Sequence, residues 1–336
     1  MTSELKADLV LSGGGVKGIG LAGAAVALME AGYAIERVSG TSAGSVVGAI
    51  LAAGGDQLSP EQVEQITMTL PYRKFLDPTP ITGIPLLGPA WGLISENGIY
   101  KGDFAHEWIR SQLANLGVRT FGDLALDDEE LPPEQRYRLV VTAADVTTGQ
   151  LVRLPWDYHR LYGLDPDEQL VADAVRASMS IPFFFRAATL TSTSGLTSTL
   201  VDGGLLSNFP IDSFDRRDHK PPRWPTFGVT LLPNLPQGND KVIPALAAVN
   251  WVFRGPPLIE ELITTMIVGR DQAYLNQPWV SSRAIRVDSS NVGFLDFSIG
   301  KKQMQELYQS GYNAAVQFLN TWNWAEYLDD FRRPGT

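Results

Sequence analysis

The segment VLSGGGVKGIGLAG, residues 10–23, decides the fold because it joins a strand to a helix through a run of glycines. The residues ADLVLS before the glycines form a predicted strand, and an Ala-, Leu- and Met-rich helix is predicted to end at Glu30. A second strand, ERVSG, precedes the turn GTSAG and another apolar helix. This β-α-β-α order predicts an α/β fold with a parallel sheet.

The glycine loop is compatible with two kinds of negative charge. Gly13, Gly15 and Gly18 fit the G-x-G-x-x-G pattern that holds a dinucleotide pyrophosphate at a helix N-terminus. In that interpretation, Glu36 stands about where an acidic ribose ligand is expected. A loop without Cβ atoms also suits backbone N–H groups that bind a developing oxyanion. The loop alone leaves both alternatives open.

Composition excludes several classes of function. The chain has 336 residues, 44% of them hydrophobic, and a formal net charge of −10, which opposes binding to nucleic acid. It has no cysteine, so a thiol nucleophile and cysteine-based metal sites are excluded. The start of the chain lacks a signal-peptide pattern, and its apolar stretches are too short to span a bilayer. We therefore expect a cytoplasmic protein with no nucleic-acid partner.

No change of composition marks a domain boundary, so residues 1–336 are predicted to form one domain. Helices and a late strand are expected within residues 236–336, with helices starting at Val242 and Pro257. Residues 71–99 contain five prolines among many apolar side chains, which predicts an irregular segment. Such a segment is either a lid or binding loop, or a packed excursion on the surface.

A candidate nucleophile lies in the turn GTSAG. Gly40, Ser42 and Gly44 give the G-x-S-x-G pattern where a strand meets a helix, which is the setting of a nucleophile elbow. The small neighbours allow a tight turn that exposes the serine hydroxyl at the carboxyl end of the sheet. The pattern by itself is weak, because small-residue turns before buried helices are common.

Two residues are candidates for the base that would activate this serine. Ser42, Asp202 and His219 follow the order of an α/β-hydrolase triad, although Ser42 comes after only the second strand. His106 lies in a predicted helix and His159 in an aromatic loop, where structural roles fit better. Alternatively, a partly desolvated Asp202 carboxylate accepts the serine proton directly. A simple D-G-G turn remains the plainer interpretation of that aspartate.

The blocks SGGGVKG, GTSAG and VDGG together resemble the signature blocks of patatin-like lipid acyl hydrolases. Residues 173–187, DAVRASMSIPFFFRA, are similar to the block that precedes the DGG strand, and TAADVTTGQLVRL resembles the central hairpin of that family. The resemblance extends over about residues 7–235. Several motifs in order are far more specific than one.

The resemblance implies a three-layer α/β/α patatin-like fold with a mostly parallel central sheet. It also implies a dyad of Ser42 as nucleophile and Asp202 as base, with no catalytic histidine, cofactor or metal ion. Lys17 matches the basic position of the family, where it either assists the site by its charge or anchors the turn. The oxyanion donors are then Gly13, Gly14 and Gly15, and the supporting glycines are Gly18, Gly40, Gly44, Gly203 and Gly204.

The predicted function is hydrolysis of carboxylic esters in phospholipids or other acyl lipids, of the phospholipase A type. The expected partner is an acyl lipid or ester, with at most transient contact with a membrane surface, and the sequence does not predict an oligomeric state. Two alternatives remain: a dinucleotide-binding protein, and a catalytically idle scaffold of the same fold.

Overall fold

A mostly parallel sheet positions the candidate site. The computed structural model describes residues 5–77, 98–216, 218, 220–231 and 274–331. Within these residues the strands are β1 (Leu5–Leu11), β2 (Tyr33–Thr41), β3 (Gly98–Tyr100), β4 (Leu139–Asp145), β5 (Gln150–Leu154), β6 (Phe183–Phe185), β7 (Ala188–Thr191), β8 (Thr197–Asp202), β9 (Thr226–Thr230) and β10 (Ala284–Arg286). The helices are α1 (Gly18–Glu30), α2 (Ala43–Gly54), α3 (Pro60–Met68), α4 (Asp103–Asn115), α5 (Val171–Ser178), α6 (Pro278–Ser281), α7 (Lys301–Leu319) and α8 (Trp324–Phe331).

Eight of these strands form one sheet in the order β10-β9-β1-β2-β4-β8-β7, and β5 pairs with β4. The strands from β10 to β4 pair in parallel, whereas β5, β8 and β7 pair antiparallel. Strands β3 and β6 form a separate parallel pair. Parallel neighbours such as β1 and β2 require a crossover, which α1 supplies.

The register brings β2 and β8 together end to end along one edge of β4. Strand β5 pairs with the other edge of β4 at this level. On the shared edge, Thr41 of β2 pairs with Thr142, and the next residue of β4, Ala143, pairs with Asp202 of β8. Since Ser42 follows Thr41, Ser42 and Asp202 lie where the two strands meet.

Alternating side chains of the central strands form two apolar cores. Leu9 and Leu11 of β1 pack in the larger core with α1 and α2. Val10, which points to the other face, packs with Phe209 and Ile211 of the segment after β8. The alternation follows from the two-residue period of a strand. Both faces of the sheet are therefore covered, as expected of a parallel sheet.

Small residues let α1 approach α7 closely. A Cβ atom on Gly23 of α1 would overlap the carbonyl oxygen of Tyr308, and one on Gly311 of α7 would overlap that of Gly20. Both helices therefore need glycine at this contact.

The predicted α/β class with a mostly parallel sheet flanked by helices is confirmed. The strands predicted in the first 55 residues, the TAADVTTGQLVRL hairpin and the strand ending at Asp202 are all present. The assignment of one domain stays a prediction. The helices predicted from Val242 and Pro257, and most of the segment 71–99, lie outside the described residues.

Candidate active site

Ser42 occupies a strained turn between β2 and α2. Its φ of 51° and ψ of −122° place it in a backbone region that L-residues rarely adopt. Such a conformation typically costs on the order of 1–3 kcal/mol and persists where the surroundings enforce it. A Cβ atom on Gly40 would overlap the Gly44 carbonyl oxygen, and one on Gly44 would overlap that of Leu11. The glycines of GTSAG are thus required by close backbone contact.

Hydrogen bonds from within the turn and from distant segments hold it in this conformation. The Ser42 N–H donates to Ser178 Oγ at 2.8 Å, and the Ser45 hydroxyl donates to the Ser42 carbonyl oxygen at 2.6 Å. The Thr41 and Thr142 hydroxyls lie 2.6 Å apart and link β2 to β4 beside the turn. Sequence analysis missed Ser178, because only the fold brings the end of α5 to this point.

Asp202 presents a buried carboxylate to the same junction. The residue is 1% exposed, and its Oδ1 accepts a hydrogen bond from the Gly204 N–H at 2.8 Å. Oδ2 is buried and has no partner in hydrogen-bonding geometry among the described residues. Burial raises the pKa of this carboxyl to about 6, against smaller lowering effects of the nearby Ser42 hydroxyl and the Gly204 amide. A Cβ atom on Gly203 would lie 2.6 Å from the Thr142 carbonyl oxygen, so this turn also needs glycine.

The glycine loop adjoins the serine, but its three N–H groups differ. The Gly13 N–H donates to the Asn208 carbonyl oxygen at 3.2 Å and is therefore already bonded. The N–H groups of Gly14 and Gly15 have no bond to another described residue. Gly15 has a φ of 56°, and a Cβ there would overlap the Phe294 carbonyl oxygen. The Gly13 N–H is thus bonded within the fold, and the expectation that it donates to an oxyanion stays a prediction.

Lys17 follows the glycines and is largely desolvated. Burial lowers the pKa of its ammonium group to about 8, and the Asp288 carboxylate opposes this shift. Its neighbour Gly18 lies against the start of α2, where an added Cβ would come 3.0 Å from the Ala43 Cβ. The starts of α1 and α2 are therefore packed together beside Ser42.

The serine borders a narrow apolar cavity of about 40 Å³. This cavity is lined by Gly15, Gly18, Ser42, Ala43, Val46, Val47, Leu70, Tyr72, Phe75, Met179, Ile181, Phe185 and Phe297. Apart from the serine, these residues offer hydrocarbon and aromatic surface. Such a lining matches an acyl chain and excludes favourable binding of a charged group.

A second, larger groove of about 1040 Å³ lies on the opposite face of the sheet. The Asp8 carboxylate and Arg37 guanidinium form a buried ion pair there, with Arg37 Nε 3.0 Å from Asp8 Oδ1. Charged side chains make up about half of its lining, which contains neither Ser42 nor Asp202. The smaller cavity is therefore the one connected with the candidate chemistry.

Neither histidine in the described part of the chain borders the serine cavity. His106 Nε2 lies 2.7 Å from Asp173 Oδ1 in a separate cavity. His159 is exposed at the charged groove. His219 lies outside the described residues, so the triad alternative with His219 is not tested.

Glu36 does not lie at the glycine loop, as a ribose ligand would. It is in the first half of β2, and its carboxylate lies 2.8 Å from the Lys6 ammonium group. Lys6 is near the start of β1, whereas the glycine loop follows the end of that strand. Ligands of open α/β sheets bind at the carboxyl ends of the strands, which disfavours the dinucleotide alternative.

Residues 9–215 match the patatin-like phospholipase family. The chain belongs to this family. The protein YqhO of Bacillus subtilis is 35% identical over 94% of this chain and 99% of its own length. MT2641 of Mycobacterium tuberculosis, described as an NTE family protein, is 26% identical over 91% of this chain, which spans 45% of that protein.

The patatin-like fold is also seen in the crystal structure of VipD from Legionella pneumophila. The two superpose with a TM-score of 0.54 at 21% identity, covering 94% of this chain and 67% of VipD. This likeness confirms the fold. Membership of the family identifies the chain as a lipid hydrolase relative. No helix among the described residues is long and apolar enough to cross a membrane.

Proposed function

We propose that this patatin-like protein is a serine acyl hydrolase that cleaves carboxylic esters of acyl lipids through Ser42 and Asp202. The observation that carries the proposal is the junction of β2 and β8. There a strained serine turn meets a buried carboxylate whose Oδ2 has no partner among the described residues. Strain and an unsatisfied buried acceptor both reduce stability, and such features concentrate at functional sites.

In the proposed acylation step, Asp202 Oδ2 takes the proton of the Ser42 hydroxyl while Oγ attacks the ester carbonyl carbon. The tetrahedral intermediate then breaks its bond to the leaving alcohol oxygen, which receives the proton from Asp202. The product of this step is an acyl-Ser42 ester and a free alcohol or lysolipid. Asp202 must be ionised at the start, and a pKa of about 6 makes it a stronger base than an exposed aspartate.

The proposed oxyanion donors are the N–H groups of Gly14 and Gly15, together with that of Ala43. Those of Gly14 and Gly15 are without a partner in the described structure. Ala43 is the first residue of α2, where backbone N–H groups lack intrahelical acceptors. The residue after an elbow nucleophile commonly supplies one such donor. Gly13 then contributes close approach of the substrate rather than a hydrogen bond.

The apolar cavity beside Ser42 is the proposed site of the acyl chain. Leu70, Phe75 and Phe297 line it together with Ser42, so the carbonyl end of a fatty acyl group would replace water against hydrocarbon surface. The alcohol portion of the substrate would remain at the mouth. An acyl lipid presented at a membrane surface through transient contact fits this orientation.

The proposal is tested by labelling the protein with a serine-reactive fluorophosphonate and locating the adduct by mass spectrometry. We expect one adduct, on Ser42, and hydrolysis of p-nitrophenyl and phospholipid esters, offered as monomers and in micelles. Ser42→Ala should lose both labelling and hydrolysis, and Ser207→Ala, which keeps the nucleophile and the hydrogen bonds of its turn, should retain labelling. A folded protein that is neither labelled nor hydrolytic would instead be an idle scaffold.

A further inference from the structure

Asn208 binds both backbone groups of Gly13. The backbone carbonyl oxygen of Asn208 accepts the Gly13 N–H at 3.2 Å, and the side-chain Nδ2 of Asn208 donates to the Gly13 carbonyl oxygen at 3.4 Å. The second bond fixes the orientation of the amide, because exchanging Nδ2 and Oδ1 would bring two oxygen acceptors together. Oδ1 is thus the side-chain atom that does not contact Gly13 through a hydrogen bond, and the residue is only 2% exposed.

This amide oxygen is a buried acceptor without a donor among the described residues. It lies close to the nucleophile: a Cβ atom on Gly13 would overlap Oδ1 and come 3.1 Å from the Ser42 Cβ. Asp202 Oδ2, the other buried acceptor without a partner at this junction, also adjoins Ser42. Leaving a buried acceptor unsatisfied typically costs about 1–3 kcal/mol.

A single molecule that satisfies both acceptors needs two hydrogen-bond donors. Serine has one hydroxyl proton and can serve one acceptor at a time, and an ester carbonyl has none. Water has two, and buried waters typically bridge polar groups that are otherwise unsatisfied. The proposed reaction requires a water in its second half, after Ser42 has lost its proton to the leaving alcohol.

We infer that Asn208 Oδ1 and Asp202 Oδ2 hold the water that hydrolyses the acyl-enzyme. This inference rests on the proposed function and names Asn208 as a further catalytic residue. The water donates one proton to Asp202 as its oxygen bonds to the acyl carbonyl carbon. The bond from that carbon to Ser42 Oγ then breaks, and Oγ receives the proton from Asp202. The second water proton, held on Asn208 Oδ1, leaves with the carboxylic acid product.

The test measures acylation and deacylation separately in the variant Asn208→Leu. Leucine is similar in size to asparagine but lacks the Oδ1 acceptor. Asn208→Ala serves as a second variant that introduces no bulk, and Ser207→Ala is the matched control on the same segment. Fluorophosphonate labelling and the first turnover of p-nitrophenyl butyrate report acylation. Steady-state turnover and intact-protein mass spectrometry report deacylation.

We expect both Asn208 variants to be labelled within about threefold of the parent rate, since phosphonylation needs no water. Steady-state hydrolysis should fall about 10-fold or more, which is less than the roughly 10²–10⁴-fold loss of a general base because Asp202 remains. A burst of p-nitrophenol and an acylated Ser42 should then be detectable. Hydroxylamine, a nucleophile that requires less activation than water, should restore turnover. Ser207→Ala should behave as the parent.

Equal losses of labelling, first turnover and steady-state rate would overturn the inference, because they would show that Asn208 only holds Gly13 in place. Unchanged hydrolysis in both variants would also overturn it. A parent protein that fluorophosphonate does not label at Ser42 would refute the underlying serine hydrolase proposal, and this outcome is distinct from the other two.

Discussion

Asp202→Asn is expected to abolish most hydrolysis and yet make the folded protein more stable at neutral pH. Burial raises the pKa of the Asp202 carboxyl from its ordinary value of 3.8 to about 6, so the folded state disfavours the ionised form. A difference of about two pH units corresponds to about 3 kcal/mol at 1.36 kcal/mol per unit. Asparagine removes the buried charge and retains an oxygen that accepts the Gly204 N–H.

The gain in stability should depend on pH in a defined direction. Below pH 3.8 the carboxyl is protonated in both the folded and the unfolded state, so the substitution removes no penalty. The free-energy cost of ionising the buried carboxyl in the parent develops as pH rises from 3.8 to about 6 and is complete above that value. At pH 5 about half of it should be present. The free energy of unfolding of Asp202→Asn should therefore exceed that of the parent by up to about 3 kcal/mol at pH 8 and by about half of that at pH 5.

Urea unfolding followed by circular dichroism, at pH 8 and pH 5, measures this difference. Asp145→Asn on β4 is the matched control, because burial acts to raise the pKa of Asp145 but hydrogen bonds from Ser198, Tyr162 and Thr148 lower it overall. That control should lose stability at pH 8. The reasoning is refuted if Asp202→Asn is no more stable than the parent at pH 8.

The same variant tests the role of the carboxylate in the reaction. Loss of a general base lowers turnover by about 10²–10⁴-fold. In the parent, kcat/KM should fall about tenfold for each pH unit below 6, as the base becomes protonated. Substantial hydrolysis by Asp202→Asn, or a flat profile through pH 6, would exclude Asp202 as the base.

Four further outcomes are expected. Ser42→Ala should lose hydrolysis and fluorophosphonate labelling, and Ser42→Gly should be more stable than Ser42→Ala by about 1 kcal/mol in urea unfolding, because glycine tolerates a φ of 51°. Gly15→Ala should lower kcat by about 100-fold or more by displacing the oxyanion loop, whereas Gly32→Ala, also at positive φ but with open space around it, should keep wild-type activity. Replacing each of the three histidines by alanine should leave kcat/KM unchanged, and a collapse in any one of them would favour a triad. Rates should fall as pH rises through about 8, where Lys17 loses its charge, and Lys17→Arg should extend activity to higher pH; identical profiles would make Lys17 a turn anchor.

The fold was predictable where local patterns carry it. The glycines and apolar runs of the first 55 residues define β1, α1, β2 and α2, because strand, turn and helix are each specified by neighbouring residues. The G-x-S-x-G pattern likewise anticipated the strained turn, since only small residues fit around it. The proximity of Ser42 and Asp202 could not be derived locally, because it depends on the register of β2 and β8 against β4.

The details that decide the chemistry come from contacts between distant segments. Ser178 is 136 positions from Ser42, and Asn208 is 195 positions from Gly13. No periodicity or spacing in the sequence connects such pairs. The family resemblance implies oxyanion donors at Gly13, Gly14 and Gly15, and the fold adds that the Gly13 N–H joins the glycine loop to the segment after β8. A local motif therefore predicts where a loop lies better than which of its groups are free.

Stability and activity should have opposite pH dependences at this site. Hydrolysis requires an ionised Asp202, and the folded state resists that ionisation because the carboxylate is buried and its Oδ2 has no partner among the described residues. Between pH 3.8 and about 6 the protein should gain activity while the contribution of Asp202 to its stability falls. The strain at Ser42 and the Asn208 Oδ1, which has no donor among the described residues, also lower stability in this region. A water or substrate that donates to these acceptors would stabilise the folded protein, so ligands that mimic the acyl-enzyme should raise its resistance to unfolding most strongly above pH 6.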